Sequence, residues 1–123
     1  INVDIPDNII VHGNLALLES VFKNLIVNSE MHSGGTEINL TCSKDDDNYV
    51  HFTFYDNGKG VPNKHLNKIF ERFYRVDEGR SRASGGTGLG LSIVRNAIAF
   101  HKGNITVKNR PEGGLQFDFT IRI

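Results

Sequence analysis

The strand-like segments of this sequence each have a single apolar face, and this pattern restricts the fold more than any other feature. Apolar residues alternate with polar ones over 38–42 and over 50–54, with an acidic turn between the two runs. Similar alternation occurs over 1–5, 105–107 and 117–123. The strands of a doubly wound parallel sheet are continuously apolar instead. We therefore expect about five strands in one mixed or antiparallel sheet that is covered on one side only.

Three segments have the apolar spacing of helices that could cover such a sheet. The first begins at Asn14, its expected N-cap, and ends at Gly34–Gly35. Its apolar stripe consists of Leu18, Val21, Phe22, Leu25 and Ile26. A short helix after Pro62 is expected to bury Leu66, Ile69, Phe70 and Phe73. A third helix is expected over about 89–100, and the predicted fold class is thus α+β in a single domain, 1–123.

Composition excludes several classes of function. Fourteen basic and fourteen acidic residues give a net charge of zero, which argues against binding to nucleic acid or to an anionic membrane surface. Cys42 is the single cysteine, so an internal disulfide and a cysteine-based zinc site are excluded. No apolar run is long enough to span a membrane. The chain begins at Ile1 in strand-like sequence, and we expect it to be a piece of a longer protein.

Two asparagines are candidates for metal binding. Asn24 and Asn28 are four residues apart on the first helix and share a face. They either brace neighbouring backbone or offer an amide oxygen to a hard cation such as Mg²⁺, which takes oxygen ligands and leaves much of its shell to phosphates and water. The five histidines show no metal-binding spacing.

Two glycine-containing segments are candidates for ligand binding. The run 56–60, Asp-Asn-Gly-Lys-Gly, ends a strand. This run is either a plain turn or part of a ligand site. In the second case, its carboxylate would accept a hydrogen bond from an amine, and its glycines would let a flat ligand approach the backbone. The run 85–90 has four glycines and leads into a helix. This pattern is typical either of a flexible hinge or of a site that binds phosphate at the start of a helix. It matches neither a Walker loop nor a dinucleotide-binding fingerprint. Residues 76–88 lack apolar periodicity, and we expect a mobile loop there.

The order and spacing of these motifs resemble the catalytic ATP-binding domain of bacterial sensor histidine kinases, in the superfamily that includes gyrase, Hsp90 and MutL. Residues 24–29 (Asn-Leu-Ile-Val-Asn-Ser) resemble its asparagine box, and 56–60 its first glycine box. Residues 70–75 (Phe-Glu-Arg-Phe-Tyr-Arg) resemble its phenylalanine box, and 86–91 (Gly-Thr-Gly-Leu-Gly-Leu) its second glycine box. Gly113–Gly114 before Phe117 matches its closing turn.

The resemblance implies a two-layer α/β sandwich that holds MgATP under a mobile lid. Asp56 would accept a hydrogen bond from the adenine amino group, and Asn28 would be the magnesium ligand. The implied catalytic residues are Asn24, which supports the phosphates, and Arg75, which contacts the terminal phosphate. Phe70 and Phe73 would dock the lid or simply pack the helix. Further nucleotide-binding residues implied by the same motifs are Gly58, Gly60, His32, Gly86, Thr87, Gly88, Leu89 and Gly90.

The resemblance also implies partners. The γ-phosphate would go to a histidine on a separate dimerisation domain, and then to the receiver domain of a response regulator. None of the five histidines has the expected acceptor context, so we expect this chain to be the donor half only, without autophosphorylation by itself. The parent protein would be a membrane-associated sensor kinase with this domain in the cytoplasm.

Two departures from the family pattern leave other functions open. Met31 stands where the family has Lys or Arg, and Ser29 replaces a usual alanine. The loss of a cation that would face the phosphates is compatible with a nucleotide-binding sensor or scaffold that has little kinase activity. A gyrase- or Hsp90-like ATPase is the other alternative, and the phenylalanine box argues against it.

Overall fold

A computed structural model describes residues 1–6, 8–32, 34–45, 48–74 and 89–123. Five strands, β1 (Asn2–Asp4), β2 (Ile38–Lys44), β3 (Tyr49–Asp56), β4 (Ile105–Asn109) and β5 (Leu115–Arg122), form one sheet in the order β1-β2-β3-β5-β4. Strand β1 is parallel to β2, and the other pairs are antiparallel. The mixed five-stranded sheet that the alternation predicts is therefore confirmed, with the opening strand at an edge.

Three helices lie within the described residues: α1 (Leu15–His32), α2 (Asn63–Leu66) and α3 (Gly90–Phe100). The predicted cap of α1 is present, since Asn14 Oδ1 accepts the amide hydrogen of Leu17 over 3.1 Å. Within the described ranges, no helix has both the length and the hydrophobicity that a membrane span requires.

The core lies between the helices and one face of the sheet, as a two-layer sandwich requires. Phe52 of β3 and Phe119 of β5 stack with ring centroids 4.9 Å apart, and Phe22 of α1 meets Phe52 edge-on at 5.5 Å. Val21 and Leu25 of α1 and Val94 of α3 have no exposed surface. These contacts fix α1 across the central strands, so that its second half reaches the end of β3.

The predicted short helix is only partly correct. Helix α2 ends at Leu66, and turns carry the chain onward to buried Ile69 and Phe70. Phe73, expected in the core, is instead 63% exposed and has a φ of 64°. Because the helical conformation stops early, the i, i+3, i+4, i+7 spacing no longer turns Phe73 inward, and the Arg72 guanidinium covers its ring at 5.3 Å.

Candidate functional site

A buried carboxylate at the end of β3 is the centre of the candidate site. Asp56 is 3% exposed. Its Oδ1 accepts the amide hydrogens of Gly58 at 3.0 Å and Leu115 at 3.2 Å, and its Oδ2 accepts the Ser29 hydroxyl at 2.9 Å. All three donors are neutral, and no ion pair within the described residues involves this carboxylate. A buried carboxylate without a cationic partner is costly, which marks it as a candidate functional group.

The closing turn comes against Asp56 only because it contains glycine. Gly114 has a φ of 97°, and a Cβ placed on it would lie 2.0 Å from the Asp56 carbonyl oxygen and 2.6 Å from Oδ1. Gly113 also has a positive φ of 110°. A side chain at position 114 would therefore push β5 away and withdraw the Leu115 amide from the carboxylate.

Arg110 holds the backbone of the same region. Its guanidinium donates to the Asp56 carbonyl oxygen over 3.2 Å, lies 4.0 Å from the centre of the Tyr55 ring, and pairs with Glu112 at 3.1 Å. The end of β3 is thus fixed through its main chain from one side and through the Asp56 carboxylate from the other.

The loop after Asp56 contains both predicted glycines. Gly58 donates its amide to Asp56, and Gly60 has a φ of 68°. A Cβ on Gly60 would lie 2.4 Å from the Asn109 amide oxygen. This tight approach keeps the loop folded against β4, and its backbone borders Asp56 without intervening side chains at these two positions.

The two asparagines of α1 are in different environments. Asn24 donates to the Ser20 carbonyl over 2.7 Å, and its amide oxygen would lie 3.1 Å from a Cβ on Gly90, the first residue of α3. Gly90 therefore permits close packing of the two helices. Asn28 is half-buried and immediately precedes Ser29, and its side chain makes no hydrogen bond to another described residue.

The Asn28 side-chain amide, which has no partner among the described residues, fits a hard cation. No group of three or more His, Cys, Asp or Glu residues in the described ranges could hold a metal by itself. A cation here would need further oxygen ligands from a phosphorylated ligand and from water, as Mg²⁺ does. The residues present are compatible with that arrangement.

Several predicted residues cannot be placed in this geometry. Arg75, Gly86, Thr87 and Gly88 lie outside the described residues, as does the expected mobile loop. Leu89 is the N-cap residue of α3, without a side-chain capping bond, and His32 is the last residue of α1. The structure therefore brings Asp56, Gly58, Gly60 and Ser29 together, with Asn28 beside them on α1 and Asn24 against Gly90.

Sequence reasoning missed three contributors to this site. The sequence assigns no role to Asn109, places Arg110 only in a turn, and shows Ser29 only as a departure from the family's usual alanine. Their contacts with the 56–61 segment are long-range, over 27 to 54 residues. Asn109 at the end of an alternating strand was the one local signal, because a polar residue there replaces an expected apolar one.

The comparisons with known proteins agree with this architecture. The family model described as "Histidine kinase-, DNA gyrase B-, and HSP90-like ATPase" matches residues 13–123. The chain is 40% identical over 112 residues, 90% of its length, to the signal transduction histidine-protein kinase BaeS of Escherichia coli, of which it spans 24%.

Two solved structures have the same fold over nearly all of this chain. The mycobacterial sensor histidine kinase MprB superposes with a TM-score of 0.81 at 25% identity, covering 98% of this chain and 81% of that one. Full-length ShkA in complex with AMPPNP gives a TM-score of 0.80 at 25% identity, covering 98% of this chain and 25% of that one. The chain belongs to the histidine kinase-, DNA gyrase B- and HSP90-like ATPase family, with the catalytic domains of sensor histidine kinases as its relatives.

Proposed function

We propose that this chain binds MgATP and donates its γ-phosphate to a histidine on a separate dimerisation domain, as the donor half of a sensor kinase in two-component signalling. The phosphate would pass from that histidine to a response regulator. The chain spans between 22% and 32% of the first four curated relatives it matches, of which three are named as histidine kinases and one as a phosphate regulon sensor protein. The acceptor histidine and the dimerisation domain therefore belong to the proposal for the whole protein.

The observation that carries the proposal is the buried carboxylate of Asp56. Three neutral donors satisfy it in part, and glycines line its approach. An exocyclic amine of a flat base can donate to the remaining acceptor position, and the backbone at Gly58 and Gly60 leaves room for the ring.

The phosphates would extend from the base along α1 towards α3. Asn28 would offer its amide oxygen to Mg²⁺, and Asn24 would support the phosphates beside Gly90, where α3 begins with free amide groups. Leu89 and His32 would border the same region. Arg75, Gly86, Thr87 and Gly88 would complete it from the segment before α3. When bound, Mg²⁺ would neutralise part of the phosphate charge.

The contribution of the protein to phosphoryl transfer would be orientation and charge stabilisation. Phosphoryl transfer needs little covalent chemistry from the enzyme, provided that donor, acceptor and charge-stabilising groups are held in line. The base clamp at Asp56 would fix one end of the nucleotide, so that the terminal phosphate faces the incoming histidine.

Calorimetric titration with ATP, ADP and GTP, each with and without Mg²⁺, tests the binding step. We expect ATP and ADP to bind and GTP to bind much more weakly. We also expect Mg²⁺ to increase the affinity for ATP more than the affinity for ADP. Absence of adenine-nucleotide binding would contradict the proposal.

The transfer step requires the chain joined to its dimerisation portion. Single-turnover reaction with γ-labelled ATP should give acid-labile, base-stable phosphohistidine. Nucleotide binding without phosphohistidine would favour the sensor alternative, for which Met31 is the relevant feature, since its side chain is 46% exposed on α1 and carries no charge. Steady ATP hydrolysis by the chain alone would favour the gyrase-like alternative.

A further inference from the structure

The side chain of Asn57 holds the turn that follows α1. Its Oδ1 accepts the amide hydrogens of Thr36 at 2.8 Å and Glu37 at 2.9 Å, and its Nδ2 donates to the Thr36 hydroxyl over 3.1 Å. The turn 34–37 leads from α1 into β2, whereas Asn57 directly follows Asp56 at the end of β3. One exposed amide therefore joins two segments that border the candidate site.

Gly35 brings the turn into direct contact with this amide. A Cβ on Gly35 would lie 2.4 Å from Asn57 Oδ1 and 2.7 Å from the backbone nitrogen of Gly58. Gly34, with a φ of 69°, has the left-handed conformation that often ends a helix. The turn therefore packs on Asn57 through its main chain, and a side chain at position 35 would push the end of α1 away from the loop after β3.

The end of α1 that this turn fixes is the end that carries the proposed metal ligand. Asn28 lies four residues before the last residue of α1, or about 6 Å along the helix axis. Asp56 has other support, because it lies opposite Ile38 in the β2–β3 ladder and the Asn57 backbone amide donates to the Glu37 carbonyl over 3.3 Å. Loss of the Asn57 side chain should therefore loosen the end of α1 without releasing Asp56.

We propose that Asn57 is a positioning residue that fixes the distance between the carboxylate of Asp56 and the cation site at Asn28. This inference rests on the proposed function. The base and the cation occupy opposite ends of one nucleotide, so MgATP uses both sites fully only when their separation matches its length. The hydrogen bonds of the Asn57 side chain are to the turn after α1, so its effect on the nucleotide passes through the helix.

The quantity that reports this role is the magnesium factor, the ratio of the ATP affinity with Mg²⁺ to the ATP affinity without it. In Asn57→Ala, we expect the magnesium factor to fall about fivefold and the affinity for metal-free ADP to change by less than about twofold. Asn57→Asp should restore most of the factor. A carboxylate oxygen can accept from the same two amides, and the Thr36 hydroxyl can donate to the other oxygen.

The test is a set of calorimetric titrations with ATP and ADP, each with and without Mg²⁺. The proteins are the wild-type chain, Asn57→Ala, Asn57→Asp, Asn28→Ala and the double variant of Asn28→Ala with Asn57→Ala. Asn104→Ala is the matched control, because Asn104 is also exposed but precedes β4, at the end of the sheet far from Asp56. Amide hydrogen exchange at Thr36 and Glu37 shows whether the turn has been released.

The expected result is a reduced magnesium factor and faster exchange of the two amides in Asn57→Ala, with neither change in Asn104→Ala. The double variant should have the same factor as Asn28→Ala alone, because both residues act through one cation. Equal weakening of MgATP and metal-free ADP in Asn57→Ala would show a merely structural role and overturn the inference. An unchanged factor, or no restoration by Asn57→Asp, would also overturn it.

Failure of the wild-type chain to bind adenine nucleotides would instead remove the proposed function. If Asn57→Ala does not fold, Asn57→Ser decides in the same way, because its shorter side chain also withdraws the acceptor from the turn.

Discussion

The side-chain amide of Asn109 binds both hydrogen-bonding groups of the Val61 backbone. Its Nδ2 donates to the Val61 carbonyl over 2.6 Å, and its Oδ1 accepts the Val61 amide hydrogen over 3.0 Å. The same Nδ2 donates to Asn63 Oδ1 over 2.9 Å. One side chain at the end of β4 thus holds the loop that borders Asp56, although the two segments are 48 residues apart.

Asn109→Asp should destabilise the chain by about 2 kcal/mol, because an oxygen would replace the Nδ2 donor opposite two acceptor oxygens. Urea denaturation measures the loss. Asn96→Asp, on an exposed position of α3, is the control and should change stability by less than about 0.5 kcal/mol. A similar cost at both positions would show that the added charge, and not the lost clamp, is responsible.

Asp56→Asn should weaken ADP binding by about 2–3 kcal/mol, because an amide nitrogen can present a donor to the amino group of the base. Calorimetry with metal-free ADP measures the loss without a contribution from the cation. Asp118→Asn is the control, since Asp118 accepts from Thr53 and Gln116 on the open face of the sheet. Unchanged ADP affinity in Asp56→Asn would remove the base-binding role of this carboxylate.

Asn28→Ala should weaken the binding of MgATP far more than the binding of metal-free ADP, because the proposed role of Asn28 is to bind the cation. The paired comparison is informative because a general disturbance of α1 would affect both ligands. Asn96→Ala should leave both affinities unchanged. Equal losses for MgATP and ADP in Asn28→Ala would contradict the assignment of Asn28 as a metal ligand.

His101→Ala should destabilise the chain by about 2 kcal/mol and leave nucleotide affinity unchanged. The buried ring joins the end of α3 to the start of α1, since Nδ1 donates to the Ala97 carbonyl over 2.7 Å and Nε2 accepts the Asn14 amide over 3.0 Å. Asn28 lies 14 residues further along α1, or about 20 Å. Thermal unfolding measures the loss of stability, and ADP titration measures the nucleotide affinity. His12→Ala, at an exposed position, is the control. A large loss of affinity in His101→Ala would mean that this junction also shapes the site.

The sequence was a good guide wherever short-range periodicity decides structure. Alternation over β2, β3 and β5 predicted the one-sided sheet, and the Asn14 cap predicted the start of α1. The expectation that Phe73 packs into the core from the short helix was wrong because apolar spacing cannot show where a helix stops, whereas its docking of the lid stays a prediction. Ser29, Asn109 and Arg110 could not be assigned to the site in advance, because their partners are determined by strand pairing and by the packing of α1 on the sheet, and not by neighbouring residues.

Cys42 should react slowly with a thiol reagent in the folded chain. It is buried on β2, and burial raises the pKa of its thiol, so little thiolate is present at neutral pH. The unfolded thiol ionises above about pH 8.5 while the folded one keeps its proton, so the free energy of unfolding should decrease as pH rises beyond that value. Cys42→Ala removes the contribution of this thiol to the pH dependence of the free energy of unfolding. The difference between the curves of stability against pH for the wild type and for Cys42→Ala therefore measures that contribution. Rapid modification at pH 7 under folding conditions, or identical curves for the two proteins, would show that the thiol is accessible to solvent.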